Sequence, residues 1–140
     1  MSRLGRRLAF DYGDVRIGVA VCDMGGILSS PLEPLNSKHP ALLDHVGDLV
    51  KEYEPVRIYV GQPLNLSGEP SASSAKASAF AEQLRSSFDC EVVMIDERLT
   101  TVSASALLTQ AGVNTKDQKK LIDSVAAVAI LESGLAREGR

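Results

Sequence analysis

Three acids stand in apolar surroundings: Asp11 in LAFDYGDVRIGVA at 8–20, Glu97 just after VVMI at 92–95, and Asp123 within LIDSVAAVAIL at 121–131. An unpaired carboxylate is costly away from water, so acids kept at such positions need a cation. Carried into one cleft by a first strand, a later strand end and a C-terminal helix, they form a hard, oxygen-rich site suited to Mg²⁺ or Mn²⁺. Two such ions about 3.5–4 Å apart activate a water and stabilise the leaving oxygen of an in-line displacement, which is phosphodiester chemistry. No histidine or cysteine nucleophile is then needed. His39 precedes Pro40 and His45 lies beside an apolar helix face without a matching ligand, so both read as surface side chains. Cys22 and Cys90 match no zinc spacing and read as reduced and structural.

Each acid also has a plainer reading. Asp11 could shape the turn before Gly13, although a glycine two residues on also allows a ligand close to the backbone. Asp123 could be a helix-start acid favoured by the macrodipole. Asp96 and Glu97 both end a buried strand, where open α/β sheets place ligand groups. Because strand side chains alternate faces, a Glu97 turned to the cleft sends Asp96 away from it.

The elements that must position these acids follow from pattern. Apolar segments around Leu8–Asp11, Arg16–Cys22 and Ile27–Leu35, separated by Gly13 and by Gly25-Gly26, read as an antiparallel meander. Pro40 opens a helix with Leu42, Leu43, Val46, Leu49, Val50 and Tyr53 on one face, ended by Pro55. RIYVG at 57–61 is a buried strand and 63–74 a loop, with a serine-rich stretch around Ser71–Ser78 that reads as mobile. A helix with Ala75, Ala79, Phe80 and Leu84 inward follows, then a strand at 91–95. A helix from about Val102 to Ala111, a polar loop at 112–120 and a final helix through Leu135 complete the chain. Together they describe an α/β fold with a five-stranded mixed sheet flanked by helices.

The 140 residues suit one domain spanning 1–140. A composition 44% hydrophobic and 24% charged is that of a soluble globular chain. The longest apolar run, VAAVAIL at 125–131, is too short to span a bilayer and MSRLGRR has no apolar signal core, so the expectation is a cytoplasmic protein without membrane attachment. A net charge of −3 argues against bulk electrostatic binding of nucleic acid. Setting the three acids aside leaves the chain neutral, with Arg3, Arg6, Arg7 and Arg16 near the start and Lys116, Lys119 and Lys120 near the end as a modest positive rim. GQPLN at 61–65 follows a strand and could touch a substrate backbone through its amides and Asn65, or simply make a tight turn. The candidate substrate contacts are Arg16, Gly61, Asn65, Lys76, Arg98, Thr100, Lys119 and Lys120.

LAFDYGDVRIGVAVCD, VGQPLNLSG, DERLTT and KKLIDSVAAVAIL, in that order and over nearly the whole chain, resemble the YqgF-type proteins of the ribonuclease H-like superfamily, which also holds the RuvC-type Holliday junction resolvases. The resemblance implies a ribonuclease H-like sheet, three antiparallel strands then two parallel, and a divalent-cation-dependent nuclease that matures the 5′ end of 16S ribosomal RNA. The family's three acids fall on Asp11, Glu97 and Asp123. Gln62 stands where relatives carry an apolar residue, Ser71–Ser78 is serine-rich where they carry arginines, and Ser103 replaces a glutamate. These departures bear on affinity rather than chemistry. The implied partners are structured nucleic acid, either precursor ribosomal RNA or branched DNA, and ribosomal assembly intermediates, bound by a monomer or homodimer.

Three rivals remain at this level. A junction resolvase needs two active sites related by a dimer. An actin-like ATPase, faintly suggested by DYGDVRIGVA, binds nucleotide between two such domains, and this chain has one. A catalytically weak assembly factor would bind nucleic acid without turnover.

Overall fold

The computed structural model describes residues 4–63, 71–97 and 124–138. Strands β1 (Arg7–Tyr12), β2 (Arg16–Cys22) and β3 (Ser29–Asn36) lead to helix α1 (Leu42–Tyr53). Strand β4 (Arg57–Gln62), helix α2 (Ala72–Ser87), strand β5 (Glu91–Asp96) and helix α3 (Val125–Arg137) follow. The sheet order is β3-β2-β1-β4-β5. Pairing is antiparallel between β1 and β2 and between β2 and β3, and parallel between β1 and β4 and between β4 and β5. This is the expected mixed α/β sheet. The expected helix at 102–111 and loop at 112–120 lie outside the described residues, as does the stretch 121–123 at the start of the expected final helix.

Alternation along the strands makes two faces. Leu8 and Phe10 of β1, Ile58 and Val60 of β4 and Val92 of β5 pack with Val46, Phe80 and Leu84 from α1 and α2. Phe10 meets Phe80 edge to face at 5.7 Å. Ala9, Tyr59 and Ile95 point the other way, against Ala127, Ile130, Leu131 and Leu135 of α3. Small residues let α3 sit close: a Cβ on Gly134 would lie 2.6 Å from the Tyr59 ring. Among the described residues no helix is long and apolar enough to cross a membrane.

Several expectations need correction. β3 begins at Ser29 and not Ile27, because the Asp23 carboxylate accepts hydrogen bonds from the Ile27 and Leu28 amides and closes a tight turn. That turn leaves Ile27 and Leu28 largely exposed. Residues 72–74 are helical and not loop, and the serine-rich stretch is the first turns of α2. Ser71 caps that helix: its Oγ accepts from the Ser74 amide at 3.2 Å and donates to the Pro63 carbonyl. The inward face of α2 is Ser74, Ala77, Phe80, Ala81 and Leu84, whereas Ala75 and Ala79 are exposed. Ser74 tolerates burial because Gln62 donates to its hydroxyl. Arg7, assigned above to a positive rim, is 2% exposed and bonded to Glu138 at 2.7 Å.

Candidate functional site

Leu8, Phe10 and Tyr12 of β1 belong to the α1/α2 face, so Asp11 between them projects towards α3. Its partner across the antiparallel rung is Gly18 of β2. On its other side β4 pairs Val60 with Phe10, which brings Gly61 beside it. The carboxylate is therefore flanked on both neighbouring strands by residues without side chains, in a gap in the sheet's own surface. On β5, Ile95 faces α3, Asp96 turns to the opposite face, and Glu97 returns to the α3 side just past the strand end.

Strands β1 and β5 are separated by β4, so about 9–10 Å lies between their backbones. Glu97 spans this by lying across Gly61, where a Cβ would come within 3.0 Å of its Cγ and Cδ and 2.3 Å of Ile130 Cδ1. The two carboxylates meet there. Burial pushes the Glu97 carboxyl up to about 8, and the charge of Asp11, its hydrogen bond with Asp11 and the charge of Asp96 push the same way. A half-buried pair that holds a proton between two acids is a donor set a dication can occupy in the proton's place. The hard oxygen ligands fit Mg²⁺ or Mn²⁺. Among the described residues no cluster of three or more potential ligands forms, so Asp11 and Glu97 are the described share of any such site.

Gly13 serves the β1–β2 turn, as the hairpin pattern implied: a Cβ there would lie 2.6 Å from the Arg16 carbonyl. Gly61 clears the path of Glu97. Arg16 alternates onto the α3 face, as Asp11 does, and is exposed. Lys76, near the start of α2, is exposed and paired with Asp14 of the β1–β2 turn at 2.7 Å. Asn65, Arg98, Thr100, Lys119, Lys120 and Asp123 lie outside the described residues. The His39 and His45 rings lie against each other, tilted, with centres 4.6 Å apart beside the start of α1, away from the acids on the sheet's other face. Cys22 and Cys90 are free thiols.

Sequence reasoning passed over Ser124, which is fully buried just before α3. Its Oγ accepts from the Val19 amide at 3.1 Å and donates to the Leu32 carbonyl. A serine beside Asp123 in the largely apolar run LIDSVAAVAIL was the available signal.

Solved structures share this architecture. Thermus thermophilus RuvC, in complex with a Holliday junction substrate, superposes with a TM-score of 0.63 at 14% identity, covering 96% of both chains. The yeast mitochondrial Holliday junction resolvase gives 0.52 at 9% identity, covering 99% of this chain and 82% of that one. The fold is thus the one these two resolvases share. Within it, residues 5–137 match the family model described as RuvX: Holliday junction resolvase. The chain is 44% identical over 138 residues to a Streptomyces avermitilis protein named "Putative pre-16S rRNA nuclease", covering 97% of this chain and 88% of that one. A Mycolicibacterium smegmatis protein of the same name is 48% identical over 136 residues, covering 94% and 80%. The chain belongs to the RuvX family.

Proposed function

We propose that this protein is a divalent-cation-dependent endonuclease that matures the 5′ end of 16S ribosomal RNA from its precursor. The observation that carries the reading is the Asp11–Glu97 pair, two carboxylates from different strands held together with Glu97 pushed up to about 8. The substrate comes from the names of the 44–48% identical relatives, and a cytoplasmic location follows from that substrate. Asp123, immediately before the buried Ser124, is the proposed third acid.

In this reading Asp11 and Glu97 hold the cation from the sheet face. A bound Mg²⁺ or Mn²⁺ supplies positive charge to the scissile phosphate and lowers the pKa of the attacking water. Glu97 would give up its proton to hold such an ion, and Asp96, on the other face, stays outside the ligand set. Arg16 grips a substrate phosphate from the same face, whereas Lys76, on α2 of the opposite face, reaches one past the β1–β2 turn when it leaves Asp14. Asn65, Arg98, Thr100, Lys119 and Lys120 are proposed to complete the contacts. With a net charge of −3, these local cations rather than the whole-molecule field hold the nucleic acid.

The test is cleavage of a labelled 16S precursor leader beside an equimolar four-way DNA junction, with Mn²⁺ or Mg²⁺ and Asp11→Asn as control. Leader cleavage lost in the variant is expected. Symmetric paired cuts in the junction would make the protein a resolvase, and binding without cleavage of either would make it an assembly factor.

A further inference from the structure

On the sheet face away from the acids, α1 and β3 part to leave a groove of about 890 Å³. One wall is the α1 stripe His45, Leu49 and Tyr53, each four residues from the next, and the other is Leu32, Pro34 and Leu35 of β3. Leu32, Leu35, Leu49 and Tyr53 are half-buried members of the core under α1 and α2, so the core's edge is open to solvent here. Ile17 pairs with Leu35 and Val19 with Leu32, two steps on β2 facing three on β3, so a bulge at Glu33–Pro34 bends β3 beside the groove. The rim is acidic: Asp48 and Glu52 line it from α1 and Glu33 from β3, against a single lysine, Lys51. Asp44, one turn before Asp48, extends the row, and Asp44, Asp48 and Glu52 are all exposed. Like charges at a spacing of four weaken a helix. Among the described residues no basic side chain forms an ion pair with any of these three.

We propose that this groove docks a basic amphipathic helix of a partner protein, whose apolar side chains seat between α1 and β3 while its lysines or arginines meet Asp48, Glu52 and Glu33. Charge chooses the occupant, because a nucleic acid or an anionic lipid would bring phosphates against three carboxylates. Length chooses its form. From His45 to Tyr53 the wall runs eight residues, about 12 Å of helix, which matches two turns of a partner with apolar side chains at i, i+4 and i+7. An added strand is poorly served, since Pro31 and Pro34 offer no amide hydrogens along β3. The groove lies on the opposite face from Asp11 and Glu97, so an occupant leaves those acids open.

The experiment titrates the full chain into a fluorescein-labelled synthetic helix of leucine and lysine in that spacing and follows its anisotropy. Two relatives serve as comparison, one with glutamate in place of lysine and one with serine in place of leucine. The leucine–lysine peptide is expected to bind tightest, to weaken as salt is raised, and to shift the amide resonances of Leu32, Leu35, Leu49 and Tyr53. Asp48→Lys with Glu52→Lys should weaken it at least ~10-fold, because like charges then face each other across the contact. The melting temperature should not fall, since that exchange breaks a row of like charges on α1. Glu82→Lys with Asp89→Lys makes the same change in net charge at exposed positions around the end of α2, and should leave binding unchanged. Equal weakening by the two double variants would mean that the peptide answers only to the molecule's net charge, and overturns the proposal. Equal binding of either relative, or resonance shifts confined to other surfaces, overturns it too. If the unlabelled chain sediments as a dimer that Asp48→Lys with Glu52→Lys breaks, the occupant is a second copy and the partner helix is wrong.

Discussion

At the scale of single residues, Glu97 is a carboxyl whose folded value of about 8 lies far above its ordinary 4.5. The neutral acid suits its half-buried place against Asp11, whereas ionisation sets two negative charges side by side. Its favourable contribution to the fold is therefore fully present below about pH 4.5 and is lost as pH rises towards and through 8. The melting temperature of the metal-free protein should fall over that window relative to Glu97→Gln, which cannot ionise. Parallel melting curves for the two proteins between pH 5 and 8 would show that Glu97 titrates normally. In the same window a cation competes with the proton, so Mn²⁺ binding at pH 7 should release about one proton. Calorimetry in buffers of differing ionisation enthalpy counts it. Asp11→Asn removes the other carboxylate while keeping its size, and should cost cleavage at least the ~10–100-fold typical of losing an outer-shell partner.

At the scale of elements, the pair exists because β4 offers no side chain where Glu97 must cross it. Gly61→Ala puts a Cβ 2.3 Å from Ile130 and 3.0 Å from the Glu97 side chain. Urea unfolding should show a loss of about 1–3 kcal/mol, the usual cost of overpacking, and Mn²⁺ binding should weaken because Glu97 is pushed off its path. Loss of stability without loss of Mn²⁺ affinity would mean that Glu97 does not need that path. The sequence showed part of this geometry. Alternation along VVMIDE correctly separates Glu97 from Asp96, and FDYGDVRIG marks a hairpin carrying Asp11, because period-two patterning is local. Gly61, by contrast, read as either a substrate contact or part of a tight turn, and its place under Glu97 was not legible, since only the parallel register of β4 with β1 and β5 shows what must pass over it. The inward face of α2 was misassigned because Ala75 and Ala79 resemble Ala77 and Ala81 in every local property, and tertiary packing alone chooses between them. Ser124 joins Val19 and Leu32 across a bulge, which no spacing rule foresees.

At the scale of the whole molecule, α3 is held at both ends by polar contacts, Ser124 near the acids and Glu138 at the opposite end of the sheet. Glu138 bonds the buried Arg7 of β1 at 2.7 Å and Arg57 of β4 at 3.0 Å, and Arg57 continues to Glu91 of β5 at 2.8 Å. One carboxylate thus ties the end of the last helix to two central strands, and through Arg57 to the edge. Arg7 is 2% exposed and Glu138 side-chain exposure is 10%, so the pair lies beyond effective salt screening. Glu138→Ala leaves a buried guanidinium without its counter-charge, and the cost should be about 3–5 kcal/mol. Replacing both partners, as in Arg7→Met with Glu138→Leu, should recover most of the loss, because the penalty comes from the unpaired cation rather than from a missing attraction. Six strand positions, or about 20 Å, separate the Glu91 end of β5 from Glu97. Below its melting temperature the Glu138→Ala protein should therefore bind Mn²⁺ like the unmodified chain. Denaturant unfolding at low and high salt checks the first part: a loss under about 1 kcal/mol that shrinks as salt is added would mark the contact as an ordinary surface bridge. Mn²⁺ titration of the same variant checks the second, and a weakened site there would mean that α3 transmits strain along its length to the acids.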